Sequence, residues 1–560
     1  MLSEAKACAS ALHRRSPVKL LAVALFVALF LWAIDALSVS ITATTSSSSS
    51  VFVSVSSATE ALSLPAQPTT AAAAVASRSL QFLSWISAPS TPNFTRTLIS
   101  RWQAPGGEPC RDSRTTDISV PGLDHRHVVE LPAGETHEFS ISALGDGGSS
   151  RCVGGDYFET DLSGSSWKSR PPVVDHGNGS YSFQLQVHPD FPGEYNLTIV
   201  LLFRSFEGLK LSPLRFKYNR QMRKFQIRFR RSSVLLQPLH LCRSGDFSRP
   251  VWSGRWTRHA ENDSCGVDGE GRYRCLDPSL LCPEPWCEGP LAALESNGWV
   301  YSAHCRFRVF TQESAWRCLR NKWLFFWGDS NHVDTIRNLL NFVLGRTDID
   351  SVPRRFDANF TNPAKGSESV RITNVFNGHW NESMNYLGLQ SLRNQGFRDL
   401  VLEFFQGPTA PDVMLFNSGL HDGIYWRSVR AFAQGAEYAA EFWEQVMGHV
   451  ARRTANAPRI FYRTTIAAGG YARELAFNPS KMEAFDGVLL EKLKGRGLIT
   501  GGVIDEFDMS FPWHFDNRCN DGVHYGRKPA KARWRDGEVG HYYFVDLMLV
   551  HVLLNAICHV

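Results

Sequence analysis

The chain has 560 residues, enough for two or three domains at about 100–200 residues each. Its apolar fraction of 43%, charged fraction of 20% and aromatic fraction of 12% are those of a globular protein. A net charge of +5 over this length is close to balance, so no large basic field argues for a nucleic-acid partner.

Arg14, Arg15 and Lys19 precede an apolar segment from about Leu20 to Ile41 whose only charge is Asp35. It is long enough to cross a bilayer, and the basic residues before it favour a cytosolic N-terminus. A cleaved signal peptide has the same charge order but a shorter core. The expectation is a cytosolic tail over 1–19, an uncleaved signal-anchor transmembrane helix over 20–41, and a lumenal remainder. Sequons at Asn93, Asn178, Asn196, Asn262, Asn359 and Asn381 agree with that compartment. So do the clustered Cys242, Cys265, Cys275, Cys282, Cys287, Cys305 and Cys318. Their spacings lack the paired C-x-x-C ligands of a structural metal, so disulfides are expected and no metal. Eleven cysteines follow the membrane segment, which leaves one free or intermolecular; the pairing is not readable.

A stalk and linker are expected over 42–112, the pattern being plain only as far as residue 79. Up to Ser79 the residues are Ser, Thr, Ala and Val with almost no charge, a composition that does not order itself and is open to O-glycosylation. A β-rich unit is expected over 113–235. In "VVDHGNGSYSFQLQVHPDFPGEYNLTIVLLF", Tyr181, Phe183, Leu185 and Val187 alternate with polar residues, as do Tyr195, Leu197, Ile199 and Leu201. Two such strands with a tyrosine at the corner suggest an immunoglobulin-like sandwich. The order Asp-x-Gly-x-Gly-x-Tyr, then Pro-x-x-Pro-Gly-x-Tyr, resembles filamin-type repeats over these residues. The basic run "RFKYNRQMRKFQIRFRR" alternates Phe225, Ile227 and Phe229 with charged or polar residues. It reads as a strand with one solvated cationic face, with an acidic-glycan site as the competing reading.

From 236 onward a cysteine-bearing segment leads into alternating strands and helices. Apolar runs at Leu324–Trp327, Val413–Phe416, Ile460–Tyr462 and Gly502–Ile504 read as buried parallel strands. Helical stretches at Asn331–Leu344, Val429–Arg453 and Lys481–Leu493 lie between them, which argues a three-layer α/β domain. The closing "HYYFVDLMLVHVLLNAICHV" is apolar, but His541, Asp546 and His551 favour a packed helix over a second membrane span.

In open α/β sheets, ligands bind beyond the carboxyl ends of the strands. Ser330 of Gly328-Asp329-Ser330 follows the first such strand and begins a helix, where developing negative charge is favoured. Asn417 follows the second strand, and Asp521 and His524 stand three residues apart near the C-terminus. A serine hydroxyl needs a base, imidazole titrates in the right range, and a carboxylate holds the imidazole tautomer. Each motif alone is common; the conjunction of all three along one domain is the signal.

Gly328-Asp329-Ser330, a central Gly, Asn417 and Asp521-x-x-His524 resemble the four blocks of the SGNH (GDSL-like) hydrolase superfamily. "CRSGDFSRPVWSGRW" and "WVYSAHCRFRVFTQESAWRCLRNKWLFFWGDS" are similar to its PC-esterase group, the trichome birefringence-like and neurexophilin/PC-esterase proteins. The resemblance covers about 113–560 and makes 236–560 the catalytic domain. It implies Ser330 as nucleophile, His524 as base and Asp521 as its orienting acid. An oxyanion hole would be formed by the Ser330 N–H, a glycine and Asn417. Gly378 fits the glycine by order, with Gly388 as competitor. His421 and Trp426 are candidates for the acceptor cleft. Asn331-His332-Val333-Asp334 and "NSGLHDGIYW" depart from the plant branch, which puts that branch's substrate in doubt.

The reading is a type II, single-pass membrane protein of the Golgi, the wider secretory pathway or the cell surface. It would act as a serine O-acetyltransferase or acetylesterase on glycan or polysaccharide hydroxyls, with an unidentified acyl donor and no cofactor. Its rival is a non-catalytic binding protein on a degenerate SGNH-like scaffold.

Overall fold

The apolar–polar alternation after residue 113 and the apolar runs after residue 320 become two kinds of sheet. The computed structural model describes residues 82–83, 85–88, 90–103, 114–259, 296, 298–346, 349, 351–378, 386–454, 456–516, 520–526 and 543–558. The segment expected to anchor the chain, 20–41, and residues 42–81 of the expected stalk and linker lie outside them. Within the rest of that linker Phe94–Gln103 is a helix held to the second part, its Thr95 N–H donating to the Glu491 carboxylate at 2.6 Å. No helix among the described residues is long and apolar enough to cross a membrane.

The strands of the first part are Asp117–Ser119 (β1), Val128–Pro132 (β2), His137–Leu144 (β3), Tyr157–Ser163 (β4), Trp167–Ser169 (β5), Val174–Asp175 (β6), Ser180–Leu185 (β7), Gly193–Phe203 (β8), Arg220–Arg230 (β9), Arg255–Arg258 (β10) and Trp299–Ser302 (β11). They form a four-stranded sheet, β1-β3-β7-β6, and a seven-stranded sheet, β11-β10-β5-β4-β8-β9-β2. Side chains from both, among them Ile141, Tyr181, Phe183, Leu197 and Ile227, share one core. The runs at 181–187 and 195–201 are sequence neighbours but belong to different sheets, so the chain crosses between the sheets at Pro-Gly-Glu. At that crossing the Tyr195 hydroxyl donates to the Phe191 carbonyl at 2.7 Å. β9 buries Phe225, Ile227 and Phe229 and exposes the residues between them. Its cations meet carboxylates: Arg223 pairs with Asp117 at 2.8 Å and Arg228 with Glu130 at 3.2 Å.

The second part carries a six-stranded sheet of Trp323–Gly328 (β12), Arg355–Thr361 (β13), Ser369–Phe376 (β14), Val413–Phe416 (β15), Arg459–Arg463 (β16) and Gly502–Ile504 (β17). Its order is β13-β14-β12-β15-β16-β17, parallel except for the edge strand β13. The helices used below are Ser330–Asn338 (α1), Leu420–Tyr425 (α2), Val429–Arg453 (α3), Pro479–Gly495 (α4), Glu506–Ser510 (α5) and Tyr543–Ile557 (α6). Successive strand side chains point to opposite faces. Leu324, Phe326 and Leu415 therefore meet Leu339, Val550, Leu553 and Leu554 on the α1/α6 face. Trp327 and Phe416 meet Trp443 of α3 on the other, at ring separations of 5.7 and 6.1 Å. This is a mixed α/β architecture with helices on both faces of a largely parallel sheet.

Residues from Ser77 to Val560 form one compact unit. β10 and β11, from beyond residue 236, extend the seven-stranded sheet and dock it on α5. The Trp256 indole N–H donates to the Met509 carbonyl at 2.8 Å, and the Tyr301 hydroxyl to Asp508 at 2.6 Å. Disulfides join Cys242 to Cys305 and Cys318 to Cys558.

Candidate active site

All six residues of β12 are buried, and the strand ends where Gly328 passes between two side chains. A Cβ there would lie 2.7 Å from the His332 ring and 3.1 Å from the Asn417 Cβ. Asp329 leaves the strand in an extended conformation and caps α1, its Oδ1 accepting the Asn331 N–H at 2.9 Å. That sharp strand-to-helix turn makes Ser330 the first residue of α1.

The Ser330 Oγ lies 2.7 Å from His524 Nε2. His524 Nδ1 lies 3.1 Å from both oxygens of Asp521. A carboxylate accepts only, so Nδ1 carries the proton, Nε2 keeps its lone pair, and the serine hydroxyl donates to it. The same carboxylate accepts the Val523 and His524 backbone N–H groups, at 3.1 and 2.9 Å. This tight turn requires Gly522, whose φ of +104° is costly for any side chain. Asn520 holds the turn from inside: its Oδ1 accepts the Gly522 N–H at 2.9 Å, while its amide donates to the Trp513 and Asp516 carbonyls. The Gly469 N–H adds a bond to the Gly522 carbonyl at 2.8 Å.

Ser330, His524 and Asp521 are thus brought together; the other expected residues are not all turned toward them. The Asn417 amide donates to the carbonyls of Arg463 and Thr464 at 3.0 and 3.3 Å, tying the end of β15 to that of β16. The Gly378 N–H donates to the Phe376 carbonyl at 2.9 Å in a tight turn. Gly388 stands against Asp422, where a Cβ would lie 2.3 Å from the carboxylate. Of the expected oxyanion donors, the Ser330 N–H stands in the first turn of a helix, where intrahelical acceptors are missing.

His421 is buried, 3.3 Å from the Asn377 Oδ1, with its ring against Phe376 and against the exposed Tyr386. Burial, partly opposed by Asp329, brings its pKa down to about 4, so the ring is neutral at pH 7. Trp426 has a packing role: its indole N–H donates to Asp422 at 2.8 Å and its ring covers Gly435 of α3. Asn93, Asn178, Asn196 and Asn359 are exposed; Asn262 and Asn381 lie outside the described residues.

Sequence reasoning missed the support behind the nucleophile. Arg463, at the carboxyl end of β16, makes a buried two-pronged pair with Glu506 at 2.6 and 2.8 Å. Its signal was a charge closing the apolar run "RIFYR". Asn377 was missed as well; its amide donates to the Ser418 hydroxyl at 2.9 Å. Among the described residues, Asp246, His304 and Cys305 form a group with metal-ligand spacing, but Cys305 is committed to a disulfide and offers no thiolate.

No protein-family model matches the chain, and no curated protein matches it. A solved structure from Bacteroides vulgatus, described as a glycoside hydrolase, aligns at 9% identity over 66% of this chain with a TM-score of 0.14. The alignment spans 54% of that structure, about half its length, and at this score it carries no argument.

Proposed function

We propose that this protein is a serine O-acyltransferase or acetylesterase of the SGNH, PC-esterase type, acting on glycan hydroxyls through an acyl-serine intermediate. One observation carries the reading: the 2.7 Å contact between the Ser330 Oγ and His524 Nε2, with Asp521 on the far ring nitrogen. His524 takes the proton as Ser330 attacks the acyl carbonyl, then returns it to the departing alcohol. The acyl-serine passes its acyl group to a second hydroxyl, again deprotonated by His524. The Ser330 N–H supports the oxyanion. A sugar acceptor gives transfer, and water gives hydrolysis; family resemblance and the expected anchor favour transfer.

The immunoglobulin-like reading of the β unit is supported by two sheets around one core and by the Tyr195 hydroxyl at the crossing. A lumenal placement is supported by the Cys242–Cys305 and Cys318–Cys558 disulfides. Exposed Tyr386, set edge-on to His421 at 5.4 Å, gives a sugar ring an aromatic face beside the site.

A second reading, a non-catalytic scaffold, is favoured by the engagement of the Asn417 and Gly378 N–H groups with backbone carbonyls. A fluorophosphonate probe separates the two. Under the enzyme reading it labels Ser330, and the label disappears in Ser330→Ala and His524→Ala. Equal signal from all three proteins selects the scaffold.

A further inference from the structure

β4 carries a carboxylate where its neighbours Phe158 and Leu162 are apolar core. Glu159 is 0% exposed. It reaches out of the β unit to two residues more than three hundred positions later. His514, also 0% exposed, places Nε2 3.1 Å from one oxygen, and the Arg473 guanidinium bonds both, its Nε at 3.3 Å. Burial alone would raise the Glu159 pKa; Arg473 and His514 together bring it down to about 2, so the group is ionised.

Both partners sit on segments that hold the turn bearing Asp521 and His524. Arg473 belongs to the short 3-10 turn Gly470–Glu474. The residue before that turn, Gly469, bonds Gly522, and two of its members, Tyr471 and Ala472, lie where a Gly522 Cβ would meet them at 3.1 and 3.2 Å. His514 accepts the Gly470 N–H through its carbonyl at 3.3 Å. The adjoining Trp513 and Asp516 carbonyls accept the Asn520 amide. Contacts therefore run from Glu159 to Arg473 and His514, on to Gly469, Asn520 and Gly522, and so to His524. A buried ion pair gives little stability over an apolar substitute, and its best-attested use is to fix one arrangement.

We propose that Glu159 is a positioning residue for the His524 turn, so that the β unit is a working part of the active site and not a spacer. The catalytic half of this inference rests on the acyl-serine reading above. Glu483 supplies a control, because its carboxylate accepts from Arg170 at 2.7 Å and from the Tyr157 hydroxyl at 3.1 Å across the same interface, with no bond to the turn.

The test uses the full chain and four variants: Glu159→Gln, Arg473→Met, Arg473→Lys and Glu483→Gln. Fluorophosphonate labelling rate, kcat and KM for 4-nitrophenyl acetate, melting temperature, and hydrogen exchange over 520–526 are measured on each. Glu159→Gln and Arg473→Met are expected to lower labelling and kcat at least tenfold with KM within twofold. They are also expected to speed exchange over 520–526. Arg473→Lys restores most of the rate, and Glu483→Gln keeps the wild-type kcat and exchange whatever its melting temperature. Wild-type exchange over 520–526 in Glu159→Gln overturns the proposal, as does equal loss of kcat in Glu483→Gln. An unlabelled wild type whose exchange still rises only in Glu159→Gln and Arg473→Met retains the positioning role and overturns the acyl chemistry instead.

Discussion

Asn417 shows how a residue read correctly for position can differ in what it touches. A side-chain amide after a parallel strand has two sets of customers: a ligand above the sheet edge, and the carbonyls where the next strand ends. Here Arg463 and Thr464 offer such carbonyls, and the amide takes both. The expected consequence is that Asn417→Ala destabilises the fold by about 1–3 kcal/mol, because buried carbonyls lose their donor. A lower denaturation midpoint checks this; an unchanged midpoint with a reduced kcat would restore the oxyanion role. Ser330 and the Asp521–His524 pair were legible as two local motifs, a strand-to-helix turn in one case and a three-residue turn around Gly522 in the other. Their meeting across 194 residues of chain rested instead on their conjunction and the family resemblance. Asn417 was legible only as a position, since nothing in "VMLFNSGLHD" says where the next strand's carbonyls will lie.

The same division holds for whole elements. β12, β15 and β16 read as continuous apolar runs because a central parallel strand is buried on both faces. β17 reads so because its three residues are buried although it closes the other edge of the sheet, and helices α3 and α4 read as long periodic stretches. The edge strand β13, "RFDANFT", has an intermediate-to-exposed pattern and left no such trace. α1 was expected to run to Leu344, but the regular helix ends at Asn338 and a π turn covers Leu339–Val343. The last helix, α6, is apolar nearly all round, and its polar groups explain why it packs in the protein. Asp546 accepts from Thr335 and Asn338 of α1 at 2.6 Å each, and His551 accepts the Phe310 N–H at 3.0 Å. Cys558 then ties the end of this helix to Cys318, across 240 residues of chain. Closing so long a loop constrains the unfolded chain by about 5 kcal/mol in the entropic account. The Cys318→Ser/Cys558→Ser double variant is therefore expected to unfold at markedly lower denaturant, whereas an unchanged midpoint would mean that α6 packing alone holds the helix.

At the scale of the molecule, the β unit and the α/β part meet through polar groups withdrawn from water, and one of them is expected to make the junction sensitive to pH. Lys481, on α4, is buried, and its ammonium donates to the Lys210 carbonyl of the β unit at 2.7 Å and to the Gly423 carbonyl of α2 at 3.4 Å. Carbonyls satisfy its protons without cancelling its charge, and burial brings the pKa down to about 7. In the unfolded chain the same group holds its proton up to about pH 10.4. Below pH 7 both states are protonated and the full cost of burying the charge is present. Between pH 7 and 10 the folded state sheds a proton that the unfolded state keeps, so this group adds stability as pH rises. Comparing pH 6.5 with pH 9.5, the wild type should gain on the order of 1–3 kcal/mol relative to Lys481→Met, which has no charge to shed. Denaturant midpoints for the two proteins at both pH values check the sign. Parallel behaviour would mean that water or an anion reaches Lys481, and that the junction between the sheets is wetter than its packing implies.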